Sequence, residues 1–260
     1  MAETPRRCHE HDQLDGSPAA QNGETSVVRS ASPLRQALAA AKVNLLPAVF
    51  LWAAAVGIIL AYTFIPAVRS ALDRLAVLKG QGGYAFSAIS TPIFAVVLPL
   101  LIQRVACAFG SKGIEPEPWR NLPLLVAFWA YRGAEIDGLY RLQTWLWGTE
   151  PTFVTLAGQV AIDQGVYVTI WAIPTMVIVF LFKDYGCSPR RVRWELGARW
   201  YRNRCLPILV VNWVVWIPAV VVIYSLPPGL RIPVMNINVS LFMLLVMFTT
   251  RRGREPITSP

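Results

Sequence analysis

The chain is poor in charge and has no histidine beyond its eleventh residue. Only 15% of its 260 residues are charged, whereas 55% are hydrophobic. Both histidines, His9 and His11, precede the first apolar segment. The rest of the chain therefore lacks the usual general base, triad member and metal ligand. Most hydrolase and oxidoreductase mechanisms need such a group. We therefore expect a protein that is not an enzyme.

Sequence motifs for nucleotides, metals and disulfides are also absent. The glycines form no GxGxxG or Walker pattern, and no HExxH is present. The four cysteines include no CxxC pair, which favours free thiols over a metal cage or a disulfide framework. A run from Cys8 to His11 contains metal-ligating residue types, but it lies in a polar tail without a second half of a site. We expect no metal ion and no cofactor.

The first 40 residues lack enough apolar surface to fold, and they predict a disordered polar tail. No signal peptide is visible, because the first apolar run begins only near Val43. Acidic residues within the tail argue against a mitochondrial transit sequence, which should contain few of them. These acids are Glu3, Glu10, Asp12, Asp15 and Glu24. We expect the first apolar segment to act as an uncleaved membrane anchor.

What the chain does contain is a series of apolar runs, each near the length that crosses about 30 Å of hydrocarbon. We predict an all-α fold, a polytopic transmembrane helix bundle with about six spans. The spans are expected at Val43 to Val68, Tyr84 to Ile102, Leu122 to Trp147, Phe153 to Phe182, Leu206 to Leu226 and Ile232 to Phe248. Residues 41–82 then form an N-terminal transmembrane helix and loop, residues 83–250 the main bundle, and residues 251–260 a basic tail.

The distribution of basic residues predicts the topology. If the segment from Leu122 to Trp147 crosses, 18 of the 24 lysines and arginines lie on the side of the termini, as expected for cytoplasmic loops. The basic residues flank apolar runs and form no separate polar domain, so the net charge of +9 favours anionic lipid over nucleic acid as a partner. We expect a bacterial inner membrane or a plasma membrane.

Charged residues inside the third segment are its most unusual feature. Arg132, Glu135 and Asp137 together cost about 8 to 10 kcal/mol at the centre of a membrane before pairing offsets this cost. Arg132 and Glu135 share a helix face, and Asp137 can reach Arg141 four residues on. Two interpretations stay open here: local salt bridges near a shallow interface, and the polar lining of a pore.

Further polar residues and one small-residue stripe occur in the other segments. Asp163 and Gln164 are expected near the outer interface, and Asn212 with Trp216, like Asn236 with Ser240, share helix faces. Such side chains either form hydrogen bonds between helices or line a pore. Ala53, Gly57 and Ala61 form a stripe that lets another helix approach closely. In the second segment Pro92 and Pro99 leave carbonyls unpaired, and Ser87, Ser90 and Thr91 are candidates to bond them.

Four motifs of the second half occur in an order that resembles a known family. They are Gly133-Ala134-x-x-Asp137-x-Leu139-Tyr140, Asp163-Gln164, Asn212-Trp213-Val214-Val215-Trp216-Ile217-Pro218, and Leu226-Pro227-x-x-Leu230-Arg231 followed by Asn236. Over about residues 83–250 the chain resembles the family of the twenty-two-kilodalton peroxisomal membrane protein and Mpv-seventeen. It departs from the family's pattern at Asp137, Ala134 and Thr169, where the family has His, Pro and Pro, so it resembles a distant member.

The resemblance implies a small-solute channel or a transport-related protein without catalytic residues, and it adds the mitochondrial inner and peroxisomal membranes as host membranes. The candidates for a pore lining or a polar network are Arg132, Glu135, Asp137, Tyr140, Asp163, Gln164, Asn212, Trp216, Arg231 and Asn236. The expected partners are the bilayer, small solutes and a second copy of the chain. Two alternatives stay open: a non-catalytic organising subunit that binds partners or anionic lipid, and an intramembrane enzyme using Glu135 and Asp137.

Overall fold

The computed structural model describes residue 42 and residues 45–109 and 117–251, and this part of the chain is helical, with no β-strand. The predicted tails and the run from Cys8 to His11 lie outside it, apart from Arg251. The α-helices are α1 (Leu45–Phe64), α2 (Pro66–Pro92), α3 (Leu98–Ala108), α4 (Leu122–Trp147), α5 (Phe153–Val160), α6 (Ile173–Asp184), α7 (Pro189–Glu195), α8 (Leu206–Tyr224) and α9 (Pro228–Arg251). Three π-helices join them: π1 (Ile93–Val97), π2 (Ala161–Ala172) and π3 (Tyr201–Cys205), and a short 3-10 helix (Trp119–Asn121) precedes α4.

Helix α2 begins where the sequence predicted a loop. It starts at Pro66, directly after α1, and continues to Pro92 with a break at Gly83, whose φ of 51° and ψ of −130° suit only glycine. The first half is amphipathic, because Val68, Leu72 and Leu75 recur at helical spacing on the inner face while most other side chains are exposed. The predicted loop is therefore a helix that lies against the bundle.

Helix α4 has the bounds predicted for the third segment. Pro123 lies in its first turn, where the missing N–H costs no hydrogen bond. Gly148 follows its last residue with a φ of 80°, a conformation that favours glycine at a helix end. The helix is continuous through Arg132, Glu135 and Asp137, since these charges are paired inside the bundle as described below.

Helix α9 lies at the centre of the bundle. The side chains from Leu230 to Asn236 are buried on every face of the helix, including the guanidinium of Arg231. Helices α1, α2, α4 and α8 all contact it. Only residues 225–227 separate α8 from α9, so the two helices form a tight hairpin at Pro227, Pro228 and Gly229.

The outer surface is apolar, whereas several charged groups are buried. Large exposed hydrophobic side chains include Phe50, Leu60, Val105, Ile170 and Trp171. Within the described residues, three continuous helical stretches are long and apolar enough to cross a membrane: Pro66–Ala108, Phe153–Asp184 and Tyr201–Tyr224. Ala48–Phe64 is a shorter apolar helix. Helix α4 is not among the three, because four charged side chains interrupt it.

One smaller prediction has a different outcome in the structure, and a second one is not tested by it. Ser87, Ser90 and Thr91 do not bond the carbonyls near the prolines: Ser87 donates to Asp137, Ser90 accepts from Asn236, and the Thr91 hydroxyl has no partner within the described residues. The π-helix π1 instead follows Pro92 directly. Of the small-residue stripe, Ala53 and Gly57 are exposed, so it faces away from the bundle.

Candidate functional site

A cavity of about 400 Å³ lies between α4, π2, α6, α8 and α9. It follows α4 from Phe128 to Tyr140, a distance of about 18 Å along a helix. Most of its wall is apolar, and its volume is within the range of about 300 to 1,000 Å³ of small-molecule sites. Phe128 in α4 packs on Phe180 in α6, and Tyr140 further along α4 packs on Tyr224, the last residue of α8.

Six of the ten predicted residues line this cavity, and four do not. Those at the cavity are Arg132, Tyr140, Asp163, Gln164, Asn212 and Trp216. Those elsewhere are Glu135, Asp137, Arg231 and Asn236. The sequence therefore identified polar groups from three separate helical segments that meet at one site, although it could not show which of them share it.

Asp163 and Gln164 are buried in the bundle, and their predicted position near the outer interface stays a prediction. Asp163 is only 5% exposed, and it lies ten residues after the start of α5, about 15 Å along a helix. Each carboxylate oxygen accepts one hydrogen bond: Tyr224 Oη donates to Oδ2 (2.8 Å) and Gln164 Nε2 donates to Oδ1 (2.8 Å). The acid is thus held in place by its neighbour in π2 and by the last residue of α8.

Gln164 joins π2 to α8 through two hydrogen bonds. Asn212 Nδ2 donates to its side-chain Oε1 (3.1 Å), and Trp213 Nε1 donates to its backbone carbonyl (3.0 Å). Thr169, where the resembling family has proline, donates its hydroxyl to the same carbonyl (2.9 Å). The wide turns of a π-helix are rare and are frequent at functional sites. Here π2 carries both Asp163 and Gln164 to the cavity wall.

Arg132 is the basic group of the cavity, and its charge is balanced. Its guanidinium forms the predicted ion pair with Glu135 (Nη1 to Oε2, 2.7 Å). It also donates to the Tyr167 hydroxyl (3.0 Å), to the Ala172 carbonyl (3.1 Å) and to the Thr175 hydroxyl (2.7 Å). Four acceptors therefore hold Arg132 between α4 and the stretch formed by π2 and α6.

Asp163, in contrast, has no basic partner. None of the ion pairs within the described ranges includes it. A buried charge without a counter-charge costs several kcal/mol. The cavity wall thus combines one neutralised arginine and one acid that only neutral donors contact.

Asp137 belongs to a separate ion cluster next to the break in α2. It accepts from Lys79 Nζ (2.9 Å) and Ser87 Oγ (3.0 Å), and from the predicted partner Arg141 (Nε to Oδ1, 3.2 Å). Lys79 is 5% exposed and also donates to the Gly83 carbonyl (3.3 Å). For Asp137, the interpretation as local salt bridges therefore describes the geometry, and this residue does not line the cavity.

The two remaining predicted residues hold helices together. Arg231 donates to the carbonyls of Tyr224 (3.2 Å) and Leu226 (3.3 Å), and to the Thr144 hydroxyl (3.1 Å). Asn236 Nδ2 donates to Ser90 Oγ (2.9 Å). These are hydrogen bonds between helices or across the α8–α9 turn, the packing interpretation that the sequence left open.

Several residues of these networks were missed from the sequence. Lys79 had been assigned to a loop, although its spacing from Leu72 and Ala76 continues the inner face of α2. Tyr167, Thr175 and Tyr224 carry no local signal, since each bonds a charged residue at least 35 positions away. Across the described residues, no group of histidine, cysteine, aspartate and glutamate side chains could hold a metal ion.

The chain matches no protein-family model, and neither curated proteins nor solved structures gave a match. The resemblance to the peroxisomal membrane protein family therefore stays a prediction from four motifs. Two of these motifs meet in the structure, because Asn212 and Trp213 both bond Gln164.

Proposed function

We propose that the chain is an integral membrane protein without enzymatic activity whose bundle crosses the bilayer six times and lets a small solute enter or pass through the cavity beside Arg132 and Asp163. The observation that carries this proposal is the cavity itself, in which buried polar groups face an otherwise apolar space. Ligand sites commonly have this combination of an apolar wall and a few convergent polar groups. Ionisable residues at membrane depth are functional candidates because placing them there is costly.

The proposed crossings are α1, the second half of α2 with π1 and α3, α4, the stretch from α5 to α6, π3 with α8, and α9. The first half of α2 then lies along the membrane surface, as its amphipathic pattern suggests. This arrangement keeps the excess of lysine and arginine on one side. Helix α4 fits a crossing because its four charges are paired and two of them, Arg132 and Asp137, are buried.

The crossing of α4 predicts opposite accessibility for Arg120 and Glu150, two exposed residues just beyond its ends. Single cysteines at these positions, in a background without the native cysteines, should react with a membrane-impermeant maleimide from opposite sides of sealed vesicles. Reaction of both from the same side would contradict six crossings and the solute path with them. Labelling after the membrane is dissolved serves as the control for reactivity.

Solute passage predicts that Asp163→Asn changes flux whereas Glu150→Gln does not. In proteoliposomes we expect wild-type protein to raise the permeability to potassium chloride or to xylitol above that of empty liposomes. Removing the unpaired charge from the cavity should change potassium flux by about tenfold, since charged lining groups control ion passage. Absence of flux for both solutes, with protein that elutes as a folded species, would refute the proposal.

A second candidate function is an organising subunit that binds anionic lipid or a partner protein. The observation favouring it is α7, where Trp194 is 87% exposed beside exposed arginines. Exposed tryptophan and arginine suit a membrane interface. This alternative expects no solute flux and no effect of Asp163→Asn. The enzyme alternative has less support, because Glu135 and Asp137 are bonded to different cations and do not form an acid pair.

A further inference from the structure

We infer that the cavity beside Asp163 binds a lipophilic organic cation, an apolar molecule carrying one positive charge. The inference rests on the proposed function, because it names the substrate class of the same cavity. Its first basis is the charge balance of the wall. Arg132 is neutralised by Glu135 (2.7 Å), whereas Asp163 forms no ion pair within the described part of the chain. The cavity therefore has an excess of negative charge, which a cation complements and an anion does not.

The second basis is the hydrogen bonding of Asp163. Tyr224 and Gln164 each donate to one of its two oxygens (both 2.8 Å). Since neither neighbour is a cation, the charge stays uncompensated until a positive group arrives, and an arriving cation offsets the burial of the acid.

The third basis is the aromatic and apolar character of the remaining wall. Six aromatic rings line the cavity, those of Phe128, Trp129, Tyr140, Tyr167, Trp216 and Phe242. Aromatic faces attract cations by about 0.5 to 2 kcal/mol each, more when water is excluded. Aliphatic side chains of π2, α6, α8 and α9 complete the wall. An organic cation with an apolar body complements both the acid and this apolar wall.

Tetraphenylphosphonium and tetraphenylborate test the inference, because the two ions have nearly the same shape and opposite charge. Binding of each ion to the purified full-length protein in neutral detergent is measured by calorimetry against a micelle blank. We expect the phosphonium to bind more tightly than the borate by about tenfold or more, as for other buried charge pairs. Asp163→Asn should remove this difference, whereas Glu150→Gln should keep it.

A second variant covers the case in which Asp163→Asn does not fold. Val211→Trp places an indole in the cavity and should abolish binding of both ions while Asp163 stays in place. Equal or tighter binding of the borate to wild-type protein overturns the inference, as does unchanged phosphonium affinity in folded Asp163→Asn. The binding measurement needs no membrane and is independent of the flux measurement. Phosphonium binding without solute flux would therefore refute the proposed function but not this inference. Flux without phosphonium binding would refute this inference alone.

Discussion

Gly133→Ala is expected to leave almost no folded protein. Gly133 lies where α4 crosses α2, and a Cβ at this position would overlap the Ser87 carbonyl and come within 2.5 Å of Thr91 Oγ1. The first of these atoms belongs to the backbone, so no side-chain rotation relieves the contact and the two helices must separate. Overpacking costs typically about 1 to 3 kcal/mol, and we expect the upper end or more here. The thermal midpoint and yield of monodisperse protein in detergent measure this loss.

Gly138→Ala is the matched control in the same helix. A Cβ there would meet the Tyr84 ring at 3.7 Å, an ordinary van der Waals contact. Alanine also favours a helix over glycine by about 1 kcal/mol. We therefore expect Gly138→Ala to be neutral or stabilising. Similar thermal midpoints for the two variants would show that α2 and α4 do not pack as closely as the structure describes.

The same crossing shows what the sequence could and could not predict. The bounds of α4 could be predicted, because Pro123 and Gly148 mark its ends and most residues between them are apolar. Local ion pairs could also be predicted. Arg132 and Glu135 are three residues apart, and Asp137 and Arg141 are four residues apart. Helical spacing alone determines such pairs, so the sequence contains all the information that they need.

Contacts between distant segments could not be predicted in this way. Asp137 meets Lys79 from 58 positions away, and Asp163 meets Tyr224 from 61 positions away. Asp163 was expected near the interface because a carboxylate next to an apolar run is usually solvated, and for Asp137 two interpretations stayed open. The helical spacing of inward-facing residues could have extended α2 to Lys79, whereas nothing local to Asp163 indicates that π2 packs against α8.

Removing either partner of the ion pair between Lys79 in α2 and Asp137 in α4 should destabilise the protein, and by unequal amounts. Asp137 is the one carboxylate that Lys79 contacts in the described residues, whereas Asp137 also contacts Arg141, whose side chain is half exposed. Asp137→Leu should therefore leave Lys79 buried with an unpaired charge and cost about 3 to 5 kcal/mol. Lys79→Met should cost less, because Arg141 and Ser87 still contact the acid. Arg74→Met, at an exposed position of α2, is expected to have no effect.

The double variant Lys79→Met with Asp137→Leu should recover most of the stability that Asp137→Leu loses. Removing both charges leaves apolar side chains where an ion pair was buried, a change that is often neutral. Thermal midpoints of the four proteins form a double-mutant cycle, and we expect a coupling of about 2 kcal/mol or more between the two positions. Additive effects would mean that Lys79 and Asp137 do not pair. A double variant with wild-type stability would assign this cluster to folding rather than to the proposed passage of a solute.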